Sequence, residues 1–280
     1  LLIVLEASGG YEKPVCKKLK EAGFKVEVVN PERVRYFAKS LGYLAKTDRI
    51  DARVIAHYGA VLVENGIVYG KEDKESEKLK ELKRRRDQIV EMIVKEKNRL
   101  KQAEKGVLGE EIRRSIEKVL EVLEKEKRRL EEEIEKRLNE AKEIKRRVKL
   151  LETIPGVSTV TAVSVVVEMP ELGKIERRKV VALSGLAPFA RESGNLKGKR
   201  MIKGGRKRVR QALYMAVLAG IIWNKKIRGY YERLVEEKKK PKKVALTACM
   251  RKLLLIMHQM LKNGVGWQEN YDGKNLVAAS

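Results

Sequence analysis

Cysteine, proline and histidine are scarce in this sequence, and acidic residues are outnumbered. Two cysteines in 280 residues, Cys16 and Cys249, are too few for a disulfide framework or a cysteine zinc site. With no signal-peptide pattern, a cytoplasmic setting is expected. The two histidines, His57 and His258, share no spacing that would hold a metal. No apolar run approaches about 18 residues, so neither a spanning helix nor a membrane partner is expected. Proline is absent between Pro31 and Pro155, which leaves room for long unbroken helices. Against 64 Lys and Arg there are only 39 Asp and Glu, a net charge of +25. That excess points to a polyanion, most simply nucleic acid.

The charge is unevenly spread. Residues 1–70 carry 11 basic and 8 acidic side chains, residues 71–150 carry 27 and 21, and residues 151–280 carry 26 and 10. The excess therefore sits at the carboxyl end. Four segments are expected: an α/β unit over 1–70, a coiled-coil arm over 71–150, a basic helical domain over 151–265 and a tail over 266–280. In the first, "LLIVLE" and "KVEVVN" read as strands flanking a helix that ends at Gly23. A connection of that length implies a parallel pair. A Gly-bounded linker, "ENGIVYGKEDKES", follows. The second segment repeats apolar residues every three, four and seven positions, among them Leu79, Leu82, Ile89, Ile93 and Leu100, then Ile112, Ile116, Val119, Leu123, Leu130 and Ile134. A break at "KGVLGE" predicts two antiparallel helices and an arm of roughly 50–60 Å. Balanced charge on its outer face reads as a spacer or dimerisation element. In the third, "LLETIPGVSTVTAVSVVVEMP" has a helix end, a Pro-Gly turn and a second helix opened by Ser158, the pattern of a helix-hairpin-helix, although an ordinary helix connection explains it as well.

Two constellations could carry chemistry. Glu6 closes the first strand, where ligands of open α/β sheets gather, and Asp48 and Asp51 lie three apart on one helical face. Three such carboxylates suit Mg²⁺. The plainer alternative makes Asp48 an N-cap with Asp51 at N3, and Glu6 an ion-pair partner. The second constellation is "APFARESGNLKGKRMIKGGRKRVRQALYMAV". Residues 191–210 hold nine Lys and Arg and one acid, interleaved with Gly194, Gly198, Gly204 and Gly205. Glycine mixed with cations lets a backbone approach phosphates, and the following helix offers free amides. Arg191, Lys197, Lys199, Arg200, Lys203, Arg206 and Arg210 are the expected nucleic-acid contacts. Ser193 heads this loop as a candidate nucleophile, or as a plain turn residue. Val209, Leu213, Ala216, Val217 and Ile221 form the core face of the helix. Tyr214 is a second possible nucleophile, although its neighbours favour a half-buried core position. Trp267 is unassigned.

Taken in order, "VLEASGGYEKPV", "VVNPERVRYFAKSLGYLAKTDRIDARVIAHYG", "LLETIPGVSTVTA", "LSGLAPFARESG" and "GKRMIKGGRKRVRQALYMAV" resemble the DEDD insertion-sequence transposases, the IS one-ten family of bridge-RNA-guided recombinases. The resemblance covers about residues 1–70 and 150–260. It implies a RuvC-like (RNase H-like) α/β domain that holds Mg²⁺ through four acids, the second to fourth matching Glu6, Asp48 and Asp51. The family's first acid lies on an earlier strand that nothing here matches. The chain opens at Leu1 inside an apolar run and reads as the remainder of a longer protein, with a nuclease-like domain truncated at its start. The resemblance further implies a serine nucleophile at Ser193, homo-oligomers (dimers or tetramers) joined through the coiled coil, and a structured guide RNA beside DNA. Two other readings are a RuvC-like endonuclease using activated water and a non-catalytic DNA/RNA-binding scaffold.

Overall fold

In the computed structural model, residues 1–43, 45, 47–64, 74–103, 109–189, 192–193, 196–198 and 201–269 are described, those at 192–193 and 196–197 by backbone alone. The chain forms two compact units, Leu1–Glu72 and Asp73–Ser280.

The first unit runs β1 (Leu2–Glu6), α1 (Lys13–Glu21), β2 (Lys25–Val29), α2 (Pro31–Ser40) and α3 (Asp48–Glu64). The strands pair in parallel, with Leu2 opposite Lys25 and Glu6 opposite Val29, as the strand–helix–strand pattern predicts. Gly23, at φ +87°, provides the left-handed turn that ends α1. Asn30 then stops β2 and caps α2, its Oδ1 accepting from Glu32 N at 2.8 Å, with Pro31 at the first helical position. Such a cap stabilises by about 1 kcal/mol. Val29, Val34, Ala38, Val54 and Leu62 form a small core. Helix α3 lies close on β1 because Gly59 has no side chain: a Cβ there would meet Val4 Cγ2 at 2.5 Å.

The second unit opens with α4 (Lys74–Ala103) and α5 (Gly109–Glu140). Arg86 bridges to Glu131 at 2.7 Å and Lys97 to Glu124 at 3.1 Å, so rising numbers on α4 meet falling numbers on α5. The helices are therefore antiparallel. Thirty and 32 residues at 1.5 Å each make them about 45–48 Å long. Ile89, Ile93 and Leu130 form a core of their own. Val119, assigned to the seam by spacing, is 45% exposed, and Leu120 packs inward in its place. The second helix is also shorter than its periodicity predicts. It breaks at Ala141 (φ −94°, ψ 77°) before α6 (Lys142–Glu152). No proline or glycine marks this break. Ala141, Ile144, Val148 and Leu151 are claimed by the main core, which redirects the chain.

That core is completed by α7 (Thr159–Glu168), α8 (Arg177–Ser184), α9 (Lys207–Trp223), α10 (Lys225–Glu232) and α11 (Lys242–Asn263), with a single π turn at Arg233–Glu237. Between α8 and α9 lie four two-residue strands: β3 (Pro188–Phe189), β4 (Glu192–Ser193), β5 (Leu196–Lys197) and β6 (Met201–Ile202). Helix α11 corrects the expectation drawn from uninterrupted apolar runs: it is long and apolar enough to cross a membrane. Its buried Cys249, Leu253, Leu254, Met257 and Met260 belong to the protein core, which accounts for that composition. Trp267 also packs against this core, and its backbone N donates to Thr153 Oγ1 at 2.7 Å.

Candidate functional site

In the first unit, Glu6 is the last residue of β1 and half-buried. The turn after it is locked by Glu12. Its Oε2 accepts from Ser8 N, Ser8 Oγ and Gly10 N, each at 2.9 Å. Hydrogen bonds from the backbone amides of Glu12 itself, Ser8 and Gly10 hold this carboxyl down to about 2. Gly9 and Gly10, at φ +74° and +116°, make the turn possible.

Thr47, and not Asp48, caps α3: its Oγ1 accepts from Ile50 N at 3.3 Å, and its carbonyl accepts from Asp51 N at 2.8 Å. Asp48 therefore stands at N1 and Asp51 at N4, which removes the N-cap explanation for the pair. Glu6 and Asp51 line one pocket of about 310 Å³ together with Pro31, Glu32, Val34, Arg35 and Ala38. Asp48 is exposed at the start of α3 and is not among the lining residues. Among the described residues no three His, Cys, Asp or Glu come together closely enough to hold a metal. Two carboxylates still fit Mg²⁺ in chemistry, because this ion binds through one or two carboxylates and keeps waters or substrate phosphates for its other positions.

Glu32 and Arg35 were missed in the sequence. The signal was present: an Asn-Pro start to α2 sets Glu32 at its second position, and Arg35 follows three residues later on the same face.

In the second unit, β3 pairs antiparallel with β6 and β4 with β5. The result is a nested ribbon. Ser193 lies opposite Leu196, with two residues between them, so it occupies the far end of the ribbon. The root is fastened to α8 and α9. Arg206 N donates to Leu183 O at 2.9 Å, and the Arg210 guanidinium donates to Ser184 O at 3.0 Å and to Gly204 O. Gly185 and Gly205, both with φ near +70°, meet backbone to backbone, and a Cβ on Gly205 would collide with Gly185 N.

The seven predicted nucleic-acid contacts thus fall into three groups. Arg191, Lys199 and Arg200 lie outside the described residues. Lys197 is on β5, and Lys203 is exposed just after β6. Arg206 and Arg210 are committed within the protein: Arg206 pairs with Glu171 at 2.5 Å, and Arg210 holds the two carbonyls just named.

The Pro-Gly turn is also committed. Gly156 packs so tightly on α9 that a Cβ would meet Gly220 N at 2.7 Å, so its glycine serves packing. Ser158 does open α7, its Oγ accepting from Thr161 N. Tyr214, expected to be half-buried, is 41% exposed. It flanks the buried face of α9, three residues before the buried Val217. His258 is structural: it is buried, and its Nδ1 accepts from Gly173 N at 2.9 Å. Cys16 and Cys249 are free and buried, and burial pushes the Cys249 thiol up to about 11.

Comparison with known proteins gives three findings. Residues 1–107 match a transposase family of the DEDD type (DEDD_Tnp_IS110), and residues 148–232 match the transposase IS116/IS110/IS902 family. Pilin gene-inverting proteins from Moraxella bovis and Moraxella lacunata are each 30% identical to the chain over 266 residues, covering 94% of it and 80% of the relative.

Proposed function

The chain belongs to the IS110-type transposases, enzymes of DNA recombination, and on that premise we propose that it cuts and rejoins DNA with Ser193 as nucleophile and with Glu6, Asp48 and Asp51 as metal-holding carboxylates, the metal site of a partner subunit completing the active centre. The observation that carries this reading is the placement of Ser193 at the far end of a cationic ribbon fastened at its root.

In the reaction, Ser193 Oγ bonds to a DNA phosphorus as the P–O bond to one deoxyribose breaks. The proton that serine loses is balanced by the one that the departing deoxyribose oxygen takes up from solvent, so that it leaves as a free hydroxyl. The phosphoserine diester keeps the bond energy, so a hydroxyl from another strand can reverse the step and rejoin the DNA. Lys203, Lys197 and the neighbouring Arg191, Lys199 and Arg200 neutralise the phosphates that flank the attack. Glu6 and Asp51, which line one pocket, would hold Mg²⁺, with Asp48 in the first turn of α3 as a further candidate ligand, and the ion would supply charge neutralisation to the phosphodiester. The Glu12-locked turn holds the backbone just beyond Glu6.

The wider reading has a RuvC-like domain over 1–70, a coiled-coil arm over 71–150 and a basic transposase domain over 151–265, with homo-oligomers joined through the arm and a structured RNA choosing the DNA. The Moraxella relatives are named for gene inversion, and inverting a segment requires DNA to be cut and rejoined. The test is capture of a denaturation-resistant protein–DNA adduct. The wild-type chain forms it and Ser193→Ala does not. Strand exchange that survives Ser193→Ala would replace this reading with water-driven cleavage.

A further inference from the structure

We propose that Phe189 and Met201 form an apolar wedge at the root of the Ser193 ribbon that stacks on unpaired nucleobases beside the phosphodiester under attack. The proposal rests on the serine-recombinase reading above and names what the same ribbon touches besides phosphate.

Phe189 and Met201 are register partners on β3 and β6, so their side chains share one face of the ribbon. Each is 56% exposed, and neither belongs to any hydrophobic cluster among the described residues. The chain has three phenylalanines. Phe37, by contrast, is packed into a core between His57 and Tyr58. Leaving an aromatic ring and a thioether in water forgoes the stabilisation that burial gives, and two-residue ladders are marginal on their own. A ligand that covers this face would make good both deficits.

Charge selects the ligand. Residues 191–203 hold Arg191, Lys197, Lys199, Arg200 and Lys203 against Glu192 alone. A second copy of the ribbon would set like charges against each other, whereas a nucleic-acid strand brings compensating phosphates and apolar base faces together. Phe and Met are among the side chains that insert between base steps, and stacking tolerates any sequence. Strand exchange also produces such a ligand: bases next to the break must leave one partner before pairing with another, and they are unpaired in between.

The test needs no knowledge of the target. The full chain is titrated with two DNA duplexes of the same arbitrary sequence, one fully paired and one with a central two-nucleotide mismatch bubble containing 2-aminopurine. Wild-type protein is expected to bind the bubble roughly ten-fold more tightly and to quench the 2-aminopurine. The Phe189→Ala, Met201→Ala double variant should bind both duplexes alike, with no quenching and an unchanged salt slope, while the Phe189→Trp, Met201→Ala double variant restores preference and quenching. A bubble preference that persists in the double variant, or none in the wild type, overturns the wedge. The adduct assay separates the two ideas. An adduct without bubble preference leaves the recombinase reading and removes the wedge; bubble preference without an adduct does the reverse.

Discussion

Glu6 and Asp51 are carried by regular elements with a core beneath them: a paired strand ended by a carboxylate-locked turn, and a helix held against that strand by Gly59. Ser193 is carried by two-residue strands whose fastening lies at the root, in Arg210 and the Gly185–Gly205 contact. The contrast matches the role proposed for each group. Metal ligands need fixed positions before substrate arrives, and a nucleophile that forms and releases a bond to DNA needs reach. Precision comes from the sheet and reach from the ribbon.

The largest effect that would break this comparison is at the ribbon's end. Ser193→Ala should lower strand exchange at least a thousand-fold, because a nucleophile cannot be partly replaced, while DNA binding measured by anisotropy stays within a few-fold. On the carboxylate side, Asp51→Asn should cost about a hundred-fold or more in strand exchange, with raised Mg²⁺ demand. Glu32→Gln, in the same pocket, should cost less. Equal losses would make Glu32 a ligand in its own right.

At the ribbon's root, Gly205→Ala forces a Cβ into Gly185 at positive φ. The expected cost is about 2–3 kcal/mol of stability or a displaced ribbon, read as a lower Tm or as loss of strand exchange at unchanged helical circular dichroism. Arg210→Lys, which keeps the charge but not the two-carbonyl grip, should reproduce part of that loss. If it behaves as wild type, Arg210 is not the fastening.

The smallest effect concerns pH. Burial, then Lys262 and Arg177, holds the His258 imidazole below its ordinary value of 6.5. The unfolded chain therefore takes up a proton that the folded chain resists. Stability from this group is complete above pH 6.5 and falls as the pH drops through the lower, folded value. Tm should decline between pH 7 and 5, and His258→Gln should flatten that decline.

Much of this arrangement was legible in residue order. The parallel β1–β2 pair, the antiparallel run of α4 and α5, the Ser158 start of α7 and the inward face of α9 all followed from periodicity and turn chemistry. What was not legible depended on contacts between segments distant in sequence. Glycine spacing could not distinguish an open turn from one pressed against another backbone, and in the Pro-Gly turn Gly156 meets the backbone of Gly220. Charge counting likewise placed Arg206 and Arg210 on DNA, although Glu171 and two carbonyls already engage them. The arm's seam was read in heptads, yet its break at Ala141 is set by the core that α6 joins. Thr47 took the capping role offered to Asp48 because it lies one residue earlier with a hydroxyl in reach of Ile50 N.

The central claim is that Ser193 joins covalently to DNA. The direct measurement is mass spectrometry of the adduct after nuclease and protease digestion. A nucleotide remnant attached through phosphate to Ser193, within the peptide spanning Glu192 and Gly194, is the predicted result. A remnant on another residue such as Tyr214, or strand exchange proceeding with no attached remnant at all, would contradict it.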